Sequence, residues 1–499
     1  MILFSNNMKR ALSVLFLACF FIISNDVSAQ YLGTSTNYSG SRGRAINPSL
    51  MTTSFVYADF GLNLGVIAYN DVIYLHASDY QNFMRREWVT SDYYIHGKKF
   101  EFGIDLNGRR KSVYEALDFN ILSAMYNPNG KTAWGFFVNS RVYANGTRIP
   151  WEIAEAGAAG IEEGDFIGHN FVSKNTKIGL MAWSEIGLSY SRVVRESFQD
   201  KIDVGVTAKG LLGHAGVGVN LNRVEKSILN RDSAMIHKLD MTAVMSGPVD
   251  YSARFEDGDA IFNPAYIVSG LGAGFDIGVT YTRKREDKIH PTVKRPCTAK
   301  RDYYYWRIGA SLLDVGAISF FKNTQNYNLQ SDEDKLFDVT TLEGVETFDQ
   351  MMDTLCSVFY DDPSEAKSED GYLMGLPTAA SLQFDYSITK NFYVNATWIQ
   401  PLRFFKYSAR RAAMLVVEPR YESSYFDFAV PVTLYNYQKI FVGAEARLAF
   451  LTIGTHNIFN FIGVGESYGL DVYVALKFNL YKEKCFGSDR DACWNADFR

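Results

Sequence analysis

The 499 residues carry Lys+Arg 50 against Asp+Glu 55, a formal net charge of -5, and are 15% aromatic. So mild an acidic balance argues against a nucleic-acid partner. The mean hydropathy of -0.11 excludes a bundle of transmembrane helices, each of which needs about 20 consecutive apolar residues.

The helix-like apolar run comes first. Lys9 and Arg10 precede the stretch Ala11 to Ile23, and Val27-Ser28-Ala29 precede Gln30. This pattern predicts a signal peptide over residues 1–29. Its loss removes Lys9, Arg10 and Asp26 and takes the net charge from -5 to -6. Export implies an oxidising compartment, so Cys297, Cys356, Cys485 and Cys493 are disulfide candidates. Cys485 and Cys493 bracket a short polar segment in the C-terminal tail, residues 482–499, which is expected in the periplasm.

Residues 30–52 are rich in Gly, Ser, Thr and Asn and have neither strand nor helix periodicity, so an irregular segment is expected ahead of the first strand. From there to residue 481 the chain alternates. Phe60, Leu62 and Leu64 oppose Asp59, Gly61 and Asn63. Leu117, Phe119 and Ile121 oppose Asp118 and Asn120, the chain reverses at Asn127-Pro128-Asn129-Gly130, and Trp134, Phe136 and Val138 return. Ile186, Leu188 and Tyr190 lead through a turn at Glu196 to Asp200 into Ile202, Val204 and Val206. Pro150 to Gly164 reads as a short helix in a loop.

Leu271 to Tyr281 and Trp306 to Leu312 continue the alternation, and a second pass is expected near Ile318 and Phe320. Lys322 to Met374 reads as the longest non-strand stretch. Within it Val345, Phe348, Met352, Leu355 and Phe359 recur at helical spacing, which suggests an amphipathic helix serving as a lid. Leu382 to Ile388, Phe392 to Trp398 and Ile440 to Phe450 follow. The closing YGLDVYVALKFNLY, Tyr468 to Tyr481, is oily on one face and wet on the other, and is long enough to cross a bilayer as a tilted strand. The expected fold is a single antiparallel transmembrane β-barrel over residues 53–481, about 14 strands (12–16), with long extracellular loops.

On the inward side fall Asp118, Arg141, Glu185, Asp203, Lys209, Asp276, Arg307, Glu445 and Arg447. Their signs are mixed, so they could line a pore or pair across a filled interior. Trp134, Tyr143, Tyr190, Trp398 and Tyr481 read as interfacial aromatics. Gly465-Glu466-Ser467-Tyr468-Gly469 matches a nucleophile elbow, but a strand follows it where an elbow needs a helix. The seven His show no pair at a helical metal-ligand spacing, and no cofactor is expected.

The Asn47-Pro48-Ser49 segment, the glycine series at Gly270 to Gly274, ASLLDVGAI at Ala310 to Ile318, LPTAASLQFDY at Leu376 to Tyr386 and the closing strand resemble an uncharacterised family of Bacteroidota outer-membrane barrels. That family is similar to the long-chain fatty-acid transporters and to accessory barrels of the type IX secretion system. The resemblance implies that Asn47 and Pro48 belong to a hatch; Ser49 departs from the Asn-Pro-Ala of those transporters. A 14-stranded lumen is wider than side chains fill in an eight-stranded barrel. Residues 30–52 are therefore expected to plug it.

The expected function is porin-like passive transport of small hydrophobic solutes across the outer membrane of a Gram-negative bacterium, gated by the N-terminal segment. One alternative is a non-transporting barrel that anchors or receives a partner protein at the cell surface. A remote one is an outer-membrane lipid hydrolase using Ser467. Outer-membrane lipid is the expected surrounding.

Overall fold

The computed structural model describes residues 33–76, 94–95, 98–99, 102–105, 109–151, 167–230, 233–255, 261–285, 303–342 and 344–481. The signal peptide, most of the segment read as a helix after Pro150, the tail 482–499, Cys297, Cys485 and Cys493 lie outside them.

Fourteen antiparallel strands close on themselves. In chain order they are β1 (Ala58–Asn70), β2 (Lys111–Tyr126), β3 (Thr132–Ile149), β4 (Asn170–Glu196), β5 (Asp200–Ile228), β6 (Gly270–Lys284), β7 (Tyr304–Phe320), β8 (Ala379–Ser387), β9 (Phe392–Pro401) and β10 (Met414–Glu422). β11 comprises Phe426–Ala429 and Val432–Tyr435, β12 comprises Lys439–Val442 and Ala444–Leu448, and β13 (Leu451–Thr455) and β14 (Gly469–Leu480) complete the wall. The break in β11 holds Pro431, which has no N–H for a ladder. β14 pairs with β1 from Ala58↔Leu480 to Tyr69↔Gly469, which closes the cylinder and leaves it no open edge.

Alternation sorts the side chains. Phe60, Leu188, Val206, Phe275, Ile308, Phe384 and Phe478 are exposed on the outside, while Asp59, Ser189, Thr207, Asp276, Arg307, Asp385 and Lys477 are buried inside. At the end that carries the start of β1 and the end of β14 the fully described turns are short, with exposed aromatics at Phe198, Phe392, Tyr425 and Phe450. In one turn Asn127 Oδ1 accepts from the Gly130 N–H at 2.9 Å, and Gly130 sits at φ 67, a conformation that favours glycine.

At the far end β4 and β5 outrun their neighbours, at 27 and 29 residues. β6 follows β5 only as far as Gly270↔Gly213. Beyond it β5 pairs with Ser233–Ser246, which pairs in turn with Thr324–Ser331 and Lys335–Asp338. The stretch 322–374 therefore contains strands, contrary to expectation. Asn326, Asn328 and Gln330 hide the alternation of Gln325, Tyr327 and Leu329, because neither face there is uniformly oily.

The amphipathic helix is α2 (Phe348–Ser357), preceded in the chain by a single helical turn, α1 (Leu50–Thr53). Its Met352 and Cys356 pack with Leu239, Ala243, Tyr327 and Leu329. Gly218 of β5 meets Tyr407 inside the barrel, so its neighbour Val219 faces outward, and Ala243, paired to Val219, does the same. α2 is thus a buttress on the outer face of this sheet, not a lid over the lumen.

Two girdle assignments are also corrected. Tyr143 is buried inside beside Trp183, because it shares the parity of Arg141. Tyr481 packs edge-on against Tyr38 of the N-terminal segment, ring centroids 6.1 Å apart. Trp134 and Tyr190 do sit together outside, 4.5 Å apart.

Candidate functional site

Residues 33–57 lie inside the barrel as a hatch, built from a 3-10 segment at Gly40–Ala45 and the helical turn α1. Its seat is made by glycines on three adjacent strands. A Cβ on Gly205 of β5 would come within 2.4 Å of the Pro48 carbonyl carbon, one on Gly278 of β6 within 2.1 Å of Asn47 Oδ1, and one on Gly309 of β7 within 2.9 Å of Asn47 Nδ2. The wall approaches the hatch this closely only where it has no side chain.

Asn47 is fully buried and satisfied on both sides. Its Nδ2 donates to the Val279 carbonyl at 3.1 Å and to Gln383 Oε1 at 3.0 Å, and its Oδ1 accepts from the Ser49 N–H at 3.0 Å and the Ser49 hydroxyl at 2.6 Å. Ser49 is thus part of the seat. Further bonds tie the hatch all round: Ser41 N–H to Asp59 at 2.8 Å, Lys477 Nζ to the Ser39 carbonyl at 2.8 Å, Asn37 Nδ2 to Glu422 at 2.8 Å and Lys201 Nζ to the Thr52 carbonyl at 3.2 Å.

A charged layer lies beside the hatch, organised around Asp314. Opposite Asp276, β7 places two residues, Leu313 and Asp314, a β-bulge in which Asp314 has φ 51. The extra residue turns Asp314 inward. It also reverses the parity beyond, so that Ile318 and Phe320 are buried inside while Ile308 faces out. The expected second pass is therefore the same strand continued past the bulge.

Asp314 accepts from Arg141 Nη1 at 3.0 Å, from Lys209 Nζ at 2.5 Å and from Arg411 Nη2. Arg141 also pairs with Asp118 at 2.5 Å and Glu185 at 3.5 Å, and Lys209 with Asp276 at 2.8 Å. Five of the inward charges expected from the sequence thus meet here. Arg307 belongs to a separate cluster, 2.7 Å from Asp385, which also pairs with Arg420 at 2.8 Å. Arg447 pairs with Asp427 at 2.5 Å, Asp203 lies 3.3 Å from Lys201, and Glu445 is buried next to Gly33. Eight of the nine charges expected from the sequence thus have an ion-pair partner inside the barrel.

A cavity of about 80 Å³ remains between Arg44 of the hatch, Arg411 and the charged wall. Arg44 stacks on Phe137 at 3.5 Å. Above the charged layer two aromatic clusters pack inside the barrel, Tyr69, Tyr114, Tyr435 and Phe441 in one and Trp183 and Phe320 in the other, with Asp471, Asn145 and Asn220 buried among them.

Asp314 and Arg411 escaped the sequence reading. The signal for Asp314 was the consecutive Leu312-Leu313, which breaks alternation; Arg411 lies in a stretch with no period. Asp385, Arg420 and Asp427 occupy ordinary inward positions that alternation could have named. Cys356 is a buried free thiol. Ser467 is followed by β14, and its hydroxyl donates to the Gly469 carbonyl at 3.0 Å, so the geometry of a nucleophile elbow is not formed.

Fold and interior together define a closed 14-stranded antiparallel β-barrel with an oily exterior and residues 33–57 seated in its lumen. Residues 51–456 match a family described as a family of unknown function, DUF5723, and the chain belongs to that family. No curated protein matches the sequence. Among solved structures it is similar to the toluene transporter TbuX of Ralstonia pickettii, with 10% identity, 89% of this chain and 94% of that chain covered, and a TM-score of 0.30. It is also similar to the toluene transporter TodX of Pseudomonas putida, with 8% identity, 93% and 97% covered and a TM-score of 0.31. A third is the monoaromatic hydrocarbon channel CymD, with 9% identity, 92% and 98% covered and a TM-score of 0.30.

Proposed function

We propose that this protein is an outer-membrane channel of a Gram-negative bacterium that passes small hydrophobic solutes, with residues 33–57 as its gate. The carrying observation is the hatch itself. A barrel this wide is filled by a separate length of backbone, held by hydrogen bonds and a glycine seat, and such an insert can leave without dismantling the wall. The buried aromatic clusters above the charged layer would present apolar faces to a solute once the segments packed on them withdraw, and the oily outer face needs lipid around it.

The test is deletion of residues 31–50 with the signal peptide kept. The inserted deletion protein should leak a small hydrophobic dye from liposomes faster than the parent. Background leakage, even when the inward connection 402–413 is shortened as well, overturns the reading.

A second reading is favoured by the filled lumen and the sheet that β4 and β5 raise beyond the barrel. In it the barrel is an anchor that receives a partner protein at the cell surface. Hatch deletion then leaves permeability at background, while trimming residues 331–369 abolishes partner capture.

A further inference from the structure

We propose that residues 402–413 form a second gate, a strap across the lumen that Arg411 latches to Asp314, in series with the hatch. The inference rests on the conducting reading above.

The path of this segment carries the argument. It leaves the wall after β9, where the Leu402 N–H donates to the Thr378 carbonyl at 2.8 Å, and returns at β10. Between those points it reaches the opposite side of the barrel. The Arg410 N–H donates to Asn145 Oδ1 of β3 at 2.8 Å. A Cβ on Gly179 of β4 would lie 2.8 Å from the Ser408 carbonyl oxygen, and one on Gly218 of β5 would lie 2.7 Å from Tyr407 Cδ1. β3 is six strands from β9 one way round the wall and seven from β10 the other, so the segment crosses the bore.

The strap is seated in the same way as the hatch, on wall glycines, and its middle is held by a two-residue parallel pairing of Tyr407 and Ser408 with Met374 and Gly375, which ends at the Ala409 N–H to the Gly375 carbonyl at 3.1 Å. On its return limb Arg411 donates from Nε to the Pro377 carbonyl at 2.8 Å and from Nη2 to Asp314. Removing a partner from a buried charge is costly when it leaves that charge alone. Asp314 would not be alone, because Arg141 and Lys209 hold it from the wall. Swinging Arg411 out therefore exchanges one contact of a satisfied carboxylate for water, which gives the strap two tolerable positions.

The next residue links the two gates. Ala412 shares an apolar cluster with Ile46 and Leu50 of the hatch and with Ile399 and Met414 of the wall. Hatch removal withdraws that support and loosens the strap without unlatching it.

The experiment uses the full chain in liposomes, with and without residues 31–50, and reads dye flux. In the hatch-deleted barrel Arg411→Met should raise flux about tenfold over the hatch-deleted parent, whereas with the hatch in place it should change little. A staple gives the converse. A Cβ on Gly218 would lie 3.0 Å from Tyr407 Cβ, about 0.5 Å short of the about 3.5–4.5 Å a disulfide spans, so with a small outward shift of the strap hatch-deleted Gly218→Cys/Tyr407→Cys should block flux when oxidised and recover it with reductant. Equal flux in the oxidised and reduced forms of a leaking, stapled barrel overturns the strap as a gate and leaves conduction standing. No leak from the hatch-deleted Arg411→Met barrel, with heat-modifiable mobility proving it folded, sinks conduction and the gate together.

Discussion

Asn47 Oδ1 lies 2.1 Å from the point where Gly278 would carry a Cβ, so the hatch occupies the volume of a side chain the wall does not have. Gly205, paired with Gly278 across β5 and β6, is tighter in kind, because what it meets is the backbone of Pro48 and Ser49. An amide side chain can rotate away from a new methyl group; a peptide unit must move the whole segment. Gly278→Ala and Gly205→Ala should each weaken hatch docking by about 1–3 kcal/mol, with Gly205→Ala the worse. Protease cleavage within residues 33–57 is the readout. Protection equal to the parent in both variants would count against the seat.

Asp314 faces three cations, and its φ of 51 is one that Asn also tolerates. Asp314→Asn therefore keeps the bulge and removes the charge, leaving Arg141, Lys209 and Arg411 facing one another with one acceptor fewer. Breaking a buried ion pair on one side costs about 3–5 kcal/mol. The temperature at which the folded barrel changes mobility on gels should fall clearly. Restoration by the further change Arg411→Met, which removes a cation that Asp314 holds and leaves the Lys209–Asp276 pair intact, would confirm charge balance as the cause, and a double variant no better than Asp314→Asn would exclude it.

Leu188 is 65% exposed on the outside of β4, while Ser189 beside it is buried inside. If the exterior faces lipid, Leu188→Arg, one outward position in from the Trp134–Tyr190 pair, should cost more than the about 0–1 kcal/mol of an interfacial site and up to the about 2–4 kcal/mol of the midplane, and an Arg at the exposed turn position Ser197 should cost almost nothing. Folding yield into vesicles against urea measures both. Equal tolerance at the two sites, or recovery of the mature protein in the soluble periplasm, would refute the membrane assignment.

How much of this was legible follows from what alternation can encode. Charges such as Asp118, Arg141 and Glu185 alternate with the oily residues of the outer face, so period two placed them inside. Tyr143 was misread although its parity with Arg141 places it inside, because an aromatic near a strand end invites an interfacial role. The bulge at Asp314 was announced by Leu312-Leu313, yet its meaning, an inward carboxylate and a reversed face at Ile318 and Phe320, depends on register against β6. The hatch seat was not legible at all. Gly205, Gly278 and Gly309 are ordinary strand glycines until three strands are aligned and Asn47 is laid across them. Arg411 sits in a segment with no period, and only the path of that segment through the barrel brings it to Asp314.

The last prediction concerns α2, which the structure makes a buttress. Cys356 reports on it, being 1% exposed between the helix and the sheet below. Burial, with Asp353 nearby, pushes its thiol above the usual range, so the folded state favours the neutral form. That contribution is complete below the ordinary thiol range and declines as the pH rises above it. Modification of the native protein must then await local opening, since the thiolate is the reactive species. Met352→Ala removes a buried neighbour from the same cluster and should weaken docking of the helix by about 2–5 kcal/mol. At the lower figure the open population, and with it the rate of maleimide labelling at fixed pH, rises about 30-fold. Barrel permeability should not change, because α2 covers the outer face of the raised sheet and not the bore. An increase in dye leakage together with faster labelling would return α2 to the role of a lid.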